Sequence, residues 1–300
     1  MKRSPVYLMM TLAVSALVTF SACKKDAAKD PNADFAVQSD DNSQFSAETD
    51  AFTDDLNAVM EAYPAFNGRN TTASICDATI VVDSNDNSRF ITITYNGTNC
   101  LGNRKRTGVV KASMPLSVKW SDEGATIMIG YQNVKVVRGR DQKSVVLNGY
   151  VTARNVSGGK LINLANLGSI VHTLNSDQLS VKFDDGTQHN WTIAKKRTFT
   201  YDNGIVVSTT GNHNENVAEW GVNRFGREFS TAIIEPLVIR QDCSFRLVSG
   251  KVEYRSDATL AVTFGLNALG QPTSCPTGSY YFKVEWPDLR NNLHSIIWPY

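Results

Sequence analysis

Several chemistries are missing from this sequence. Its five cysteines include no Cys-x-x-Cys pair, and its four histidines form no cluster beside them. The ligand spacing of a structural zinc site is therefore absent, and no metal is expected. No Gly-x-Ser-x-Gly elbow occurs, and no glycine-rich phosphate loop opens a helix, so no cofactor is expected either. Charge of one sign is lacking: 30 Lys and Arg stand against 29 Asp and Glu. That balance removes the electrostatic ground for a nucleic-acid partner. A membrane-spanning run is lacking as well, because the apolar stretch from Pro5 to Phe20 falls short of the roughly 20 residues a spanning helix needs.

What that stretch does resemble is an export address. Lys2 and Arg3 precede it, and Ser21 and Ala22 close it before Cys23. A basic start, a short apolar middle and small residues mark residues 1–22 as a secretory signal peptide. Cleavage immediately before a cysteine resembles the lipobox of bacterial lipoproteins, although Phe20 stands where Leu is commoner. Cys23 is thus expected to carry a lipid, attaching the chain to the bacterial outer membrane on its periplasmic or surface side. Residues 23–46, rich in Asp, Ala, Ser and Asn, bury too little apolar surface to offset ordering, so a flexible tether is expected. Residues 47–300 would be the folded part, one β-rich domain with a hint of two similar halves.

With Cys23 set aside, Cys76, Cys100, Cys243 and Cys275 remain, an even number in an exported chain. Cys76 and Cys100 flank the hairpin pattern ATIVVD–SNDN–RFITITY, and Cys243 and Cys275 flank FRLVSGKVEY–TLAVTFG. A bridge across each hairpin is geometrically reachable, so Cys76–Cys100 and Cys243–Cys275 are the expected disulfides.

Ser46 to Tyr63 places Phe52, Leu56, Val59, Met60 and Tyr63 at helical spacing, with Pro64 to close it. After it the period changes to two, in runs such as VVKASMPLSVKW, ATIMIGYQNVKVV and YYFKVEW. Asn96-Gly97, Asp185-Gly186, Asn203-Gly204 and Phe225-Gly226 read as the turns between them. The expected fold is mainly β: a large antiparallel meander, sandwich or curved sheet, with one N-terminal helix. The stretch Gly158 to Asp177 fits neither period cleanly. The basic runs Arg104-Lys105-Arg106 and Lys195-Lys196-Arg197 sit beside β-patterns and read as solvated strand ends.

The strand that leads to Cys100, the stretch with Arg104, Arg106 and Gly108, and the later run with Pro236, Leu237, Cys243 and Ser249-Gly250-Lys251-Val252 resemble a set of uncharacterised Bacteroidota lipoproteins. The resemblance covers most of Cys76 to Cys275. It implies an exported β-rich lipoprotein and carries no activity or catalytic residue.

Chemistry-bearing groups are sparse. Asp184, Asp185 and His189 could serve acid–base work, but Asp185-Gly186 reads first as a hairpin turn. His213 and Glu215 lie two apart in a polar stretch, and His172 and His294 stand alone. Among the tryptophans, Trp120 and Trp286 fall in step with apolar neighbours that a sheet would bury. Trp220 and Trp298 lack such a stripe, which makes them the candidate ligand-binding rings. The expected role is non-catalytic, binding a glycan or an envelope protein, and a polysaccharide hydrolase is the alternative.

Overall fold

The computed structural model describes residues 31–66, 74–275, 278–288 and 290–300. Cys23, the expected signal peptide and the first part of the expected tether lie outside the described residues. A 32-residue helix, α1 (Pro31–Ala62), leads into a single antiparallel sheet of fourteen strands. These are β1 (Ala78–Ser84), β2 (Ser88–Thr98), β3 (Arg104–Pro115), β4 (Ala125–Arg138), β5 (Ser144–Asn155), β6 (Ser169–Phe183) and β7 (Gln188–Tyr201). They continue as β8 (Ile205–Gly211), β9 (Val217–Val222), β10 (Glu228–Arg240), β11 (Arg246–Arg255), β12 (Thr259–Leu266), β13 (Tyr281–Pro287) and β14 (Leu293–Pro299). Neighbours in the sheet are neighbours in sequence, except that β9 bonds to β7 and β10, which also pair β8 between them. Among the described residues no helix is long and apolar enough to cross a membrane.

The alternation legible in the sequence sorts the two faces of this meander. Ile91, Ile93 and Tyr95 of β2, Val110, Ala112 and Met114 of β3, and Ile127, Ile129 and Tyr131 of β4 are buried on one side. Their neighbours in sequence, Thr92, Lys111 and Met128 among them, point the other way. A line of register shifts crosses the sheet at Thr107/Val109, Tyr131/Val134, Gly149/Thr152 and Ser176/Leu179. Bulges bend and coil the strands that carry them, so their alignment curls the sheet into a trough. Gly108 makes one of them possible: its φ is +105°, and a Cβ there would sit 2.3 Å from the Asn133 carbonyl oxygen.

The trough holds α1. Phe52, Leu56, Val59 and Met60 join the core formed with the inner faces of β2 to β7 and with Phe229, Tyr254 and Leu260. Among its described side chains, the exposed ones are Ser43, Ala47, Asp54 and Ala58, spaced four, seven and four apart along one narrow line of the helix. The apolar stripe read between Ser46 and Tyr63 is therefore real, but the helix begins at Pro31. The segment expected to be tether is helical from there on, and Gln38, Asp41, Asn42, Gln44 and Phe45 are buried within it.

Three local expectations also change. Asn96-Gly97 continues β2, and the turn falls at Asn99–Asn103, where the Asn99 side chain accepts from the Asn103 and Arg104 amides. Trp120 is buried, though not by strand parity: β3 ends at Pro115, Leu116 is exposed, and the ring packs from a loop. Gly158 to Asp177 resolves into a short helix, α2 (Leu164–Leu167), and the start of β6, with Leu164 buried beside Ile170, Phe199 and Val207. Both expected disulfides are present, with Cα separations of 5.3 Å for Cys76–Cys100 and 5.0 Å for Cys243–Cys275.

Candidate functional site

The most concentrated chemistry in the molecule lines the trough. Helix α1 carries eight acidic residues and no basic one, and the inner face of the sheet answers with arginine and lysine. Alternation explains how. In Arg104-Lys105-Arg106 and in Lys195-Lys196-Arg197 the outer two residues of each triplet point inward and the middle lysine is exposed. The two basic runs are therefore not solvated strand ends. Arg106, Lys195 and Arg197 are each at most 6% exposed, because each meets a carboxylate of the helix.

Around Arg106 the bonding is dense. Its Nε and Nη2 donate to the two oxygens of Asp77 at 2.7 and 2.6 Å, a bidentate fork, while Nη1 donates to Asp55 at 2.8 Å. Tyr95 donates its hydroxyl to the same Asp55 oxygen at 2.8 Å and lies 4.3 Å below the guanidinium. Burial raises the Asp55 carboxyl more than Arg106 and Tyr95 lower it, and burial with the nearby carboxylate holds the Tyr95 phenol well above its ordinary value.

Farther along the groove, Lys195 Nζ donates to Ser46 Oγ at 2.7 Å and pairs with Glu219 of β9 at 2.7 Å and Asp50 at 3.4 Å. Arg197 reaches Asp54 at 2.8 Å. Near the start of the helix, Arg138 grips Asp40 through both terminal nitrogens at 2.8 and 2.6 Å, and Lys143 adds a third bond at 2.9 Å. Arg224 forks onto Asp41 and also reaches Asp184 and Asp185.

Adjacent carboxylates consequently behave oppositely. Burial opposes ionisation of Asp40, yet the bonds and charge of Arg138 and Lys143 hold it down at about 2. At Asp41 burial outweighs Arg224 and pushes the carboxyl up to about 6. Little space is left over. A gap of about 10 Å³, lined by Asp34, Gln38, Asn223 and Tyr254 among others, has room for about one water.

The groups singled out in the sequence take other places. Asp184 and Asp185 belong to the β6–β7 turn; Asp185 accepts from the Thr187 amide and hydroxyl, and both carboxylates face Arg224. His189 is not brought into that cluster by any bond among the described residues. His213 stacks on Trp220 at 4.6 Å, and Glu215 pairs with Arg255. His172 lies buried between Trp120 and Phe199, where burial pushes its imidazole down to about 3. Trp298 is 42% exposed on β14, its edge on Phe282. Trp220 and Trp298 do not converge, since β10 to β13 lie between their strands. Asp242 stands beside Cys243 and Cys275, the one grouping of metal-type side chains among the described residues, but those sulfurs are bonded to each other.

Outside the trough, the convex face of β1 to β3 carries an open depression of about 300 Å³ lined by Val81, Asp83, Ser84, Asn85, Phe90, Thr92 and Lys111. Lys111 Nζ sits 5.4 Å from the centre of the Phe90 ring. Along the same row Tyr150 lies over Gly130, 64% exposed. No family model, curated protein or solved structure matches this chain.

Proposed function

We propose that this chain is an exported lipoprotein, anchored through Cys23, that binds an envelope or dietary glycan without chemical turnover. The observation that carries the proposal is the filled trough. A curved sheet of this size would ordinarily offer its concave face as a ligand cleft, and here α1 occupies it from Asp34 to Met60. Ligand contact then falls to the convex face, where Phe90 and Tyr150 offer rings and Asp83, Ser84, Asn85, Thr92 and Lys111 offer donors and acceptors around a shallow depression. Ring faces with polar groups at their rim suit the apolar and hydroxylated sides of a sugar. The resemblance to Bacteroidota lipoproteins supports the same habitat. Trp298, on β14 and in the inward-facing row with Ile296, is not part of this face.

A glycan array with the Cys23→Ser chain, purified oxidised, tests this. The expected result is a saturable hit weakened about tenfold or more by Tyr150→Ala or Phe90→Ala, the size of one or two lost ring contacts. A folded protein with no hit, or a hit indifferent to both substitutions, overturns the site. Release of reducing ends from the bound glycan would favour the hydrolase instead.

A further inference from the structure

A meander has two edges. Among the described residues β1 bonds only to β2, and β14 only to β13. An edge strand offers unpaired amides and carbonyls to any other strand, and proteins usually blunt it with charge. The β1 edge is guarded in this way: Asp77, buried against Arg106, precedes it, and Asp83 is exposed near its end. Between Leu293 and Pro299 on β14 there is no Lys, Arg, Asp or Glu.

Two backbone bonds fix which groups of β14 are free. The Asp288 amide donates to the Asn292 carbonyl and the Tyr300 amide to the Tyr280 carbonyl, both at 2.9 Å. With Trp286 opposite His294 and Phe282 opposite Trp298, alternation gives the even-numbered residues of β14 to β13. The amides and carbonyls of Leu293, Ser295 and Ile297, and the Pro299 carbonyl, therefore point away from the sheet.

The side chains along this edge are apolar on both faces. His294, Ile296 and Trp298 share the inward row, His294 stacked on Trp286 and Trp298 edge-on to Phe282. No Lys, Arg, Asp or Glu of β13 or β14 joins that face, since Lys283 and Glu285 point outward and pair with each other at 2.9 Å. Trp298 and Leu293 are 42% and 69% exposed. Leu269 of the β12–β13 connection is 79% exposed, and its neighbour Gly270 lies so close to Ile297 that a Cβ there would sit 2.8 Å from Cδ1.

We propose that β14 pairs antiparallel with β14 of a second copy of this chain, about a two-fold axis at Ile296. Ser295 exchanges both backbone bonds with the partner's Ile297, and the Leu293 amide donates to the partner's Pro299. Ile296 meets the partner's Ile296 and Trp298 meets the partner's His294, in the non-bonded positions where opposed side chains come closest. Sliding the strands towards the turn by one pleat would set Trp298 against the partner's Asn292 instead. A second copy suits this edge because it brings the same free backbone groups in the same phase and an equally uncharged face, so no charge is buried unpaired. Each side contributes a seven-residue strand and Leu269, fewer than the roughly 20–30 residues a side of a standard interface. The dimer should therefore dissociate on dilution.

Sedimentation of the oxidised Cys23→Ser chain from about 1 to 200 µM tests this, a range that spans weak association. The expected result is a reversible passage from monomer to twice the monomer mass. Ser295→Pro removes an amide that β13 does not use, a change that edge strands accept. It should weaken the dimer about tenfold or more, the size of one bond lost in each copy. Ser295→Lys keeps every backbone group, adds charge at the edge and should weaken the dimer as well. Ile296→Cys should cross-link through the axis with dioxygen as oxidant, because directly opposed residues of a non-bonded pair lie within disulfide reach. Val81→Cys, exposed on β1, should stay uncross-linked. A monomer throughout, a dimer indifferent to both Ser295 substitutions, or cross-linking through Val81→Cys overturns the proposal. Mass that keeps growing past the dimer overturns it too, by assigning the edge to a head-to-tail contact.

Discussion

The two halves of α1 lie in one trough and are held there by different physics. From Phe52 to Met60 the buried side chains are Phe52, Leu56, Val59 and Met60, with Thr53 and Asn57 between them. From Gln38 to Thr49 they are Gln38, Asp41, Asn42, Gln44, Glu48 and Thr49, with Phe45 the one large apolar residue. The second half is stabilised mainly by removing hydrocarbon from water, a non-directional gain that tolerates change of shape, with Asp54 and Asp55 adding pairs to Arg197 and Arg106. In the first half each buried carboxylate or amide costs free energy until a defined partner meets it, so pairing offsets that cost and fixes position more than it adds stability. Asn42 donates to Thr231 at 2.6 Å and Arg224 forks onto Asp41. One half specifies that a helix lies here, and the other specifies its register in the groove.

The largest effects should come from the apolar half. Phe52 is fully buried and touches both Tyr95 and Tyr131, with ring centroids 5.3 and 5.6 Å away. Phe52→Ala should cost about 3–5 kcal/mol in denaturant unfolding of the oxidised chain. A loss below about 1 kcal/mol would mean that the helix is not packed as described.

Where the halves meet, Lys195 tests the other mechanism. Lys195→Met should be nearly as damaging, about 3–5 kcal/mol, because it strands the Glu219 carboxylate at 2% exposure. The double change Lys195→Met with Glu219→Leu should recover most of that loss, since an apolar pair of similar volume replaces a costly ionic one. Equal losses in the single and double variants would show that the pair matters for more than mutual neutralisation.

That contrast also explains what was legible beforehand. Strand runs such as RFITITY announced themselves because one face is buried and the period is two, and the helix announced itself at Phe52, Leu56, Val59 and Met60. Residues 31–46 read as a leash because hydropathy scores Asp, Gln and Asn as solvated wherever they sit. Their burial depends on basic residues 98 to 193 positions away, a tertiary fact that no local window contains. A signal did exist: an acidic stretch without a single base, and two strand patterns with cations at alternate positions. Read together they describe a complementary pair; read separately, each looks like surface. The disulfides were legible because hairpin geometry is local, whereas the trough was not, because the bulges that curl it leave little trace in composition.

Within the polar half, Asp40 and Asp41 sharpen the comparison further. For Asp41 the folded value of about 6 lies above the ordinary 3.8, so protonation favours the folded state. The wild type should gain on Asp41→Asn as pH falls through 6 towards 4, by about 2–3 kcal/mol. For Asp40 the folded value of about 2 lies below 3.8. Its contribution is present above pH 4 and lost as pH falls towards 2, so the wild type should there lose about 2 kcal/mol relative to Asp40→Asn. Parallel pH profiles for the two variants would contradict the opposite environments of these neighbours.

The smallest effect should come from Arg140, which reaches the same Asp40 at 3.0 Å but is 58% exposed. Water competes for its guanidinium and salt screens it, so Arg140→Ala should cost less than about 1 kcal/mol, with the difference vanishing at about 1 M salt. Arg138, whose side chain is 11% exposed and grips Asp40 with both nitrogens, should cost several times more when replaced by alanine, and that loss should persist in salt. The two arginines share one carboxylate, so their ratio isolates burial from charge. If they proved equal, the register of the polar half would be set by net attraction between helix and trough, and the individual pairings would be interchangeable.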